Sequence, residues 1–201
     1  MSPVVVDITV SLDGYVTGPN AGPGNGLGDN GEALHNWVFD GTDEDRAVLD
    51  RSFTETGSVV QGRNLFDVID APDGWTDELG YGAQPNGEQN PPIFVVTHEA
   101  PAKTRLGDRF TFVTDLADAI RQAREAAGDK DTVVMGGGEV CYAVLAAGLA
   151  DVLRLHVAPV VLGGGTRLYP AGDGPRVDLE LTSAISTPNA QHLTYAVRKD
   201  S

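Results

Sequence analysis

The chain has 201 residues, 41% hydrophobic and 21% charged, enough for one compact domain with a full core and too few for two of ordinary size. Its 29 acidic residues against 14 basic ones leave a net charge of −15, which excludes the basic stripe that nucleic acid or an anionic membrane surface requires. No apolar run approaches the roughly 18 residues of a membrane span. No basic segment precedes an apolar one near Met1, and the single cysteine, Cys141, supports neither an internal disulfide nor a zinc pattern, so a cytoplasmic protein without a metal is expected.

Val4 to Leu12 is rich in β-branched residues and alternates imperfectly, which predicts a central strand. The Gly-, Pro- and Asn-rich stretch after it, through Trp37, reads as a lid or binding loop, because long loops inside compact domains are seldom idle. Thr42 is placed to cap a helix running to about Thr56, with Asp43, Glu44 and Asp45 in its first turn. Ser58 to Gln61 predicts a short strand and Gly62 the opening of a helix, followed by a second loop from Asp70 to Pro92. "PIFVVT" and "RFTFVT" read as strands, Asp115 to Ala127 as a helix, "DTVVMG" as a strand, and Gly137 to Gly148 as a helix. "DVLRLHVAPVVL" and two tail segments, Val177 to Ile185 and His192 to Arg198, predict three more strands, the last two joined by the turn "STPNAQ". Alternating strands and helices that end in strands describe an α/β domain spanning 1–201, its sheet mostly parallel with an antiparallel C-terminal extension.

Two runs of three glycines follow apolar strands, in "VVMGGGEVCYAVL" and "VVLGGGTRLYP". Glycine costs roughly 0.5–1 kcal/mol relative to alanine inside a regular element, so such runs point to close backbone approach, by a ligand or by neighbouring protein. A strand-to-helix junction with glycines can present free N–H groups to a phosphate, although this one departs from the G-x-G-x-x-G dinucleotide fingerprint. Gly62 and Arg63 stand at another such junction, and Thr97 and His98 just after the next strand. Ligands of open α/β sheets bind along that edge, which makes these positions one candidate site. His35, His156 and His192 lack spacing for a metal or a triad and read as structural or surface residues, and Cys141 as a small core residue.

In order, "SLDGYVTG", "QGRNLFD", "VVTHEAP" and the segment from Thr132 to Pro170 resemble the dihydrofolate reductase fold, and more closely the reductase domain at the C-terminus of the riboflavin-biosynthesis protein RibD. The resemblance covers essentially the whole chain. It implies a dihydrofolate reductase-like sheet of about eight strands with helices on both faces, binding NADPH across the strand ends. On that pattern Gly62, Arg63 and Asn64 lie near the cofactor phosphates, and Thr97 and His98 flank the adenosine ribose. Gly136 and Gly137 form a cis glycine pair, and Gly138, Glu139 and Val140 offer N–H groups to the pyrophosphate. Thr9 and the lid from Asp13 to Thr17, Val16 included, approach the nicotinamide. Arg167 serves a phosphorylated substrate, Trp37 or Phe39 can stack on a planar ring, and Asp45 is the candidate catalytic carboxylate of the first helix.

The function implied is an NADPH-dependent reductase acting on a ribosylaminopyrimidine phosphate, passing hydride to a C=N or masked carbonyl carbon. A dihydrofolate or pterin reductase and a non-catalytic nucleotide-binding dimer are the alternatives. The resemblance also implies a homodimer. The zinc deaminase half of the riboflavin protein has no counterpart, since its H-x-E and P-C-x-x-C pattern is missing from a chain with one cysteine.

Overall fold

The computed structural model describes residues 2–76, 90–172 and 174–199, so the part of the second predicted loop at 77–89 lies outside the described residues. Its strands and helices run β1 (Val4–Ser11), β2 (Tyr15–Thr17), α1 (Asn36–Phe39), α2 (Asp43–Glu55), β3 (Thr56–Gly62), α3 (Arg63–Ile69), β4 (Ile93–Val96) and β5 (Phe110–Val113). They continue with α4 (Leu116–Ala127), β6 (Asp131–Gly136), α5 (Gly138–Ala146), β7 (Val152–Ala158), β8 (Thr166–Arg167), β9 (Asp178–Ser186) and β10 (Gln191–Arg198). Eight of the strands form one sheet in the order β5-β4-β3-β6-β1-β7-β10-β9. The pairs from β5 to β7 are parallel, and β10 is antiparallel to both β7 and β9, the architecture predicted from the sequence.

Strand alternation divides β1 between two environments. Val4, Val6, Ile8 and Val10 enter a core with Ala119, Ile120 and Ala123 of α4 and Cys141, Val144 and Leu145 of α5. On the opposite face, Val59, Ile93, Val95 and Phe110 pack with Phe66 and Ile69 of α3. Asp7 and Thr9 of β1 share this second face with His156 of β7 and His192 of β10, so its centre is polar where its flank is apolar. Cys141 is fully buried, and burial pushes its thiol well above the ordinary range.

Two boundaries differ from the sequence reading. The first loop contains β2, a 3-10 turn at Gly31–His35 and α1, because Leu34 and Trp37 are apolar enough to be buried beneath it. The strand read through Leu162 stops at Ala158, since Pro159 has no N–H to give a ladder. Among the described residues no helix is long and apolar enough to cross a membrane, and no His, Cys, Asp or Glu group could hold a metal.

α3 and α5 meet at Gly62, where a Cβ would lie 2.7 Å from Cγ2 of Val140. The β-branched valine has little freedom to yield. Gly62→Ala should therefore destabilise the fold by about 1–3 kcal/mol through overpacking. Urea denaturation of the variant checks this, and an unchanged midpoint would mean that the two helices can separate.

Candidate functional site

A cleft of about 1740 Å³ opens along the C-terminal edge of the parallel strands and over the polar face of β1. Gly62, Arg63 and Asn64 after β3, Thr97 and His98 after β4, and Gly136 to Val140 after β6 all line it. Parallel topology with helical crossovers brings these successive strand ends to one edge. Arg63 is fixed by Nε to Asp67 Oδ1 at 2.7 Å and by Nη1 to the Glu99 carbonyl at 2.9 Å. The Thr97 hydroxyl donates to the same carbonyl at 2.9 Å, so the turn after β4 and the guanidinium form one unit.

The Gly136–Gly137 peptide is cis, as the family resemblance implies. Gly137 has φ −69° and ψ −177°, angles open to any residue, and no atom stands within 4 Å of where its Cβ would point. The space beside this backbone is therefore open to a ligand. The first-turn amides of α5 have no intrahelical acceptors, so the N–H groups of Gly138 and Glu139 are available to such a ligand. Val140 differs from its expected role: its N–H donates to the Gly137 carbonyl at 3.1 Å, and its side chain packs against Gly62.

Deeper in the cleft, Asp7, Thr9, Ser52 and His156 form a floor beneath Trp37. Trp37 Nε1 donates to Thr9 Oγ1 at 3.0 Å, and its ring lies 4.4 Å from that of His156. Asp7 accepts from Ser52 Oγ at 3.0 Å and stands 2.9 Å from His156 Nε2. Burial alone would raise the Asp7 carboxyl, but the hydrogen bond and charge of His156, with the Arg154 guanidinium behind it, hold it below its ordinary range. Sequence reasoning placed Thr9 and Trp37 at the site but missed Asp7, Ser52 and His156. The one local signal is an acid inside a β-branched run, "VVVDITV".

Asp45, the carboxylate expected to be catalytic, does not line the cleft. It is fully buried at the N-terminus of α2, where it completes a capping box with Thr42, accepting the Thr42 N–H at 2.8 Å. His192 Nε2 stands 2.8 Å from Oδ1, and Thr187 and Asn189 donate to the same carboxylate. Burial opposes ionisation, yet these hydrogen bonds together hold its pKa far below the ordinary range. Arg167 also lies outside the cleft lining, exposed, with its guanidinium 4.5 Å from the centre of the Tyr15 ring. Phe39 and Trp37 both line the cleft, Phe39 at 68% exposure on its rim and Trp37 buried. Thr9 and Val16 line it as expected.

Two loops frame the lid. Asp13 accepts from Ser11 Oγ at 2.7 Å and from the N–H groups of Leu162 and Gly163 at 3.0 and 2.7 Å, and the Ser11 bond first among these lowers its pKa to about 2. The second glycine run is thereby tied to the first loop, and β2 pairs with β8 beside it. The Gly-rich loop beyond β2 closes on itself, with Gly18 N–H to Leu27 O at 2.8 Å and Asp29 N–H to Pro19 O at 2.7 Å. Its tip, Ala21 to Leu27, lines the cleft.

Comparison with known proteins agrees with this geometry. The chain is 23% identical over 173 residues to the uncharacterized protein YyaP of Bacillus subtilis (strain 168), covering 83% of this chain and 79% of that one. A protein from Shewanella sp. PV-4 assigned to riboflavin biosynthesis superposes with a TM-score of 0.68 at 20% identity, over 99% of this chain and all of that one. The dihydrofolate reductase of Enterococcus faecalis, solved in complex with NADP(H) and RAB-propyl, superposes with a TM-score of 0.59 at 15% identity over 98% and 97% of the two chains. These structural likenesses show the fold. The RibD C-terminal domain model matches residues 3–193, nearly the whole chain, and the protein belongs to that family.

Proposed function

We propose that the protein is an NADPH-dependent reductase of the riboflavin-biosynthesis type. The observation that carries this reading is the convergence of Gly62–Asn64, Thr97–His98 and the open Gly137 position on one cleft edge, in a chain of the RibD C-terminal domain family. Bound NADPH supplies a hydride. Arg63 and the first-turn amides of α5 hold its phosphates, Thr97 and His98 flank the adenosine ribose, and Thr9 and Val16 bound the nicotinamide end. Trp37 and the Asp7 carboxylate shape the place where a planar heterocycle lies. The exposed Tyr169, Leu179 and Leu181, near and on the outermost strand β9, support pairing with a second copy.

A second reading, reduction of dihydrofolate or another pterin, is favoured by one observation. Among the described lining residues Arg63 is the only Lys or Arg, and it stands at the cofactor end, while Asp7 occupies the substrate end. A phosphorylated substrate finds no cation there. The experiment is a fluorescence titration with NADPH and NADH, followed by turnover assays on a ribosylaminopyrimidine phosphate, its dephosphorylated form and dihydrofolate. Saturable binding that prefers NADPH supports the cofactor, and the first substrate reduced decides between the readings. Binding without turnover of any of them would support a nucleotide-binding module.

Arg63→Ala should weaken NADPH by about 10- to 100-fold, the value of one or two charge-assisted hydrogen bonds. Isothermal titration calorimetry measures it. An unchanged Kd would remove Arg63 from the phosphate site.

A further inference from the structure

The second polar feature of the cleft floor extends behind Trp37. His156 Nδ1 and His192 Nδ1 lie 2.7 Å apart, while His156 Nε2 faces Asp7 Oδ1 at 2.9 Å and His192 Nε2 faces Asp45 Oδ1 at 2.8 Å. The order is therefore carboxylate, imidazole, imidazole, carboxylate. Two nitrogens at that distance need one hydrogen between them, and a nitrogen facing a carboxylate needs one of its own. Three protons on four ring nitrogens make one cation shared by the pair.

We propose that the His156–His192 pair, clamped between Asp7 and Asp45, stores one proton and releases it through Asp7 to the heteroatom of the substrate; this rests on the reductase reading above. His156 is 4% exposed and His192 4%, and the Trp37 ring covers both, so the stored charge is shielded from bulk water. Asp7 and His156 both line the cleft, and of the two carboxylates only Asp7 does so.

The charges facing the pair fit this storage. On β1 Asp7 and on α2 Asp45 attract the proton, while Arg154 of β7 approaches Asp7 at 3.8 Å and is itself paired to Glu55 and Asp131. His35, from the 3-10 turn, is held neutral, its pKa lowered to about 4 by burial first and by His156 second. Burial lowers His192 as well, against the pull of its hydrogen bond to Asp45, and the 2.7 Å between the two Nδ1 atoms leaves room for one proton between the rings. Coupled groups of this kind titrate as a pair.

The C=N carbon of the substrate gains hydride from the reduced nicotinamide and its π electrons move to nitrogen. A proton passes from His156 Nε2 to Asp7 Oδ1, and the Asp7 carboxyl gives a proton to that nitrogen. The pair falls from three ring protons to two and is refilled from water through the open cleft after product leaves. Asp7 touches substrate, and the histidines act through it.

The test begins on the ligand-free protein labelled with 15N-histidine. Ring NMR is expected to show a low-field proton bridging two Nδ1 atoms and three ring protons on the pair near neutral pH. The pH at which that proton is lost should coincide with the falling limb of single-turnover reduction, on the substrate found in the screen above, where the rate drops about tenfold per pH unit. His192→Asn, which keeps an acceptor for His156, should preserve the limb. His192→Leu, which removes it, should move the limb down by about one unit, or tenfold in rate on its slope. Two ring protons without a bridge would overturn the proposal whatever the activity. A bridge whose loss does not coincide with the limb, or variants that behave alike, would overturn its catalytic role. Should no substrate be reduced, the reductase reading fails and the release step with it, while NMR still reports whether the proton is stored.

Discussion

Gly137→Val should abolish NADPH binding while leaving the fold intact. The backbone at Gly137 is extended and, its chain neighbours aside, no protein atom lies within 4 Å of where a Cβ would stand, so the added Cβ itself meets nothing. It projects where, on the proposed reading, a cofactor phosphate would reach the first-turn amides of α5. Losing two hydrogen bonds to a charged group costs roughly 1.5–3 kcal/mol each, so Kd should rise by about 100-fold or more. Fluorescence titration gives the affinity and thermal denaturation the stability. A variant that binds NADPH normally would move the pyrophosphate away from this loop, and one that unfolds would show that the glycine serves packing.

The second large effect concerns stability. Asp45→Ala should cost about 3–5 kcal/mol, a fall in Tm on the order of 10 °C, because it removes the partner of buried His192, one of two acceptors each for Thr187 and Asn189, and half of the α2 capping box. Asp45→Asn keeps the shape and loses the charge. Since the folded pKa of Asp45 lies below its unfolded value of roughly 3.9, its ionised form contributes stability that is fully present above that pH. That contribution is lost as pH falls through the folded pKa. The stability gap between wild type and Asp45→Asn should therefore be constant near neutrality and narrow below about pH 4, as urea denaturation at a series of pH values would show. A gap that widens in acid would contradict the ionised, hydrogen-bonded state.

The strand-end edge of the cleft was legible because its signals are local. Glycines at strand ends, Arg63 and the Thr97–His98 turn each stand beside a recognisable β-branched run, and parallel topology brings such positions together. Thr42 and Asp45 were likewise legible as a helix start, three residues apart. Their reading as a catalytic helix was not sound, because first-turn acids serve the helix itself before they serve a substrate. The floor was hidden for a different reason. Asp7 and His156 are 149 positions apart and His156 and His192 are 36 apart, and only the pairing of β1, β7 and β10 makes them neighbours. No spacing rule on one strand or helix reports a contact made across three.

The loop between Gly18 and Asp29 leaves and returns at nearly one point, held there by two backbone hydrogen bonds. Its tip, Ala21 to Leu27, lines the cleft, so a change in this loop's length or composition alters the lining while both of its ends stay pinned at one point.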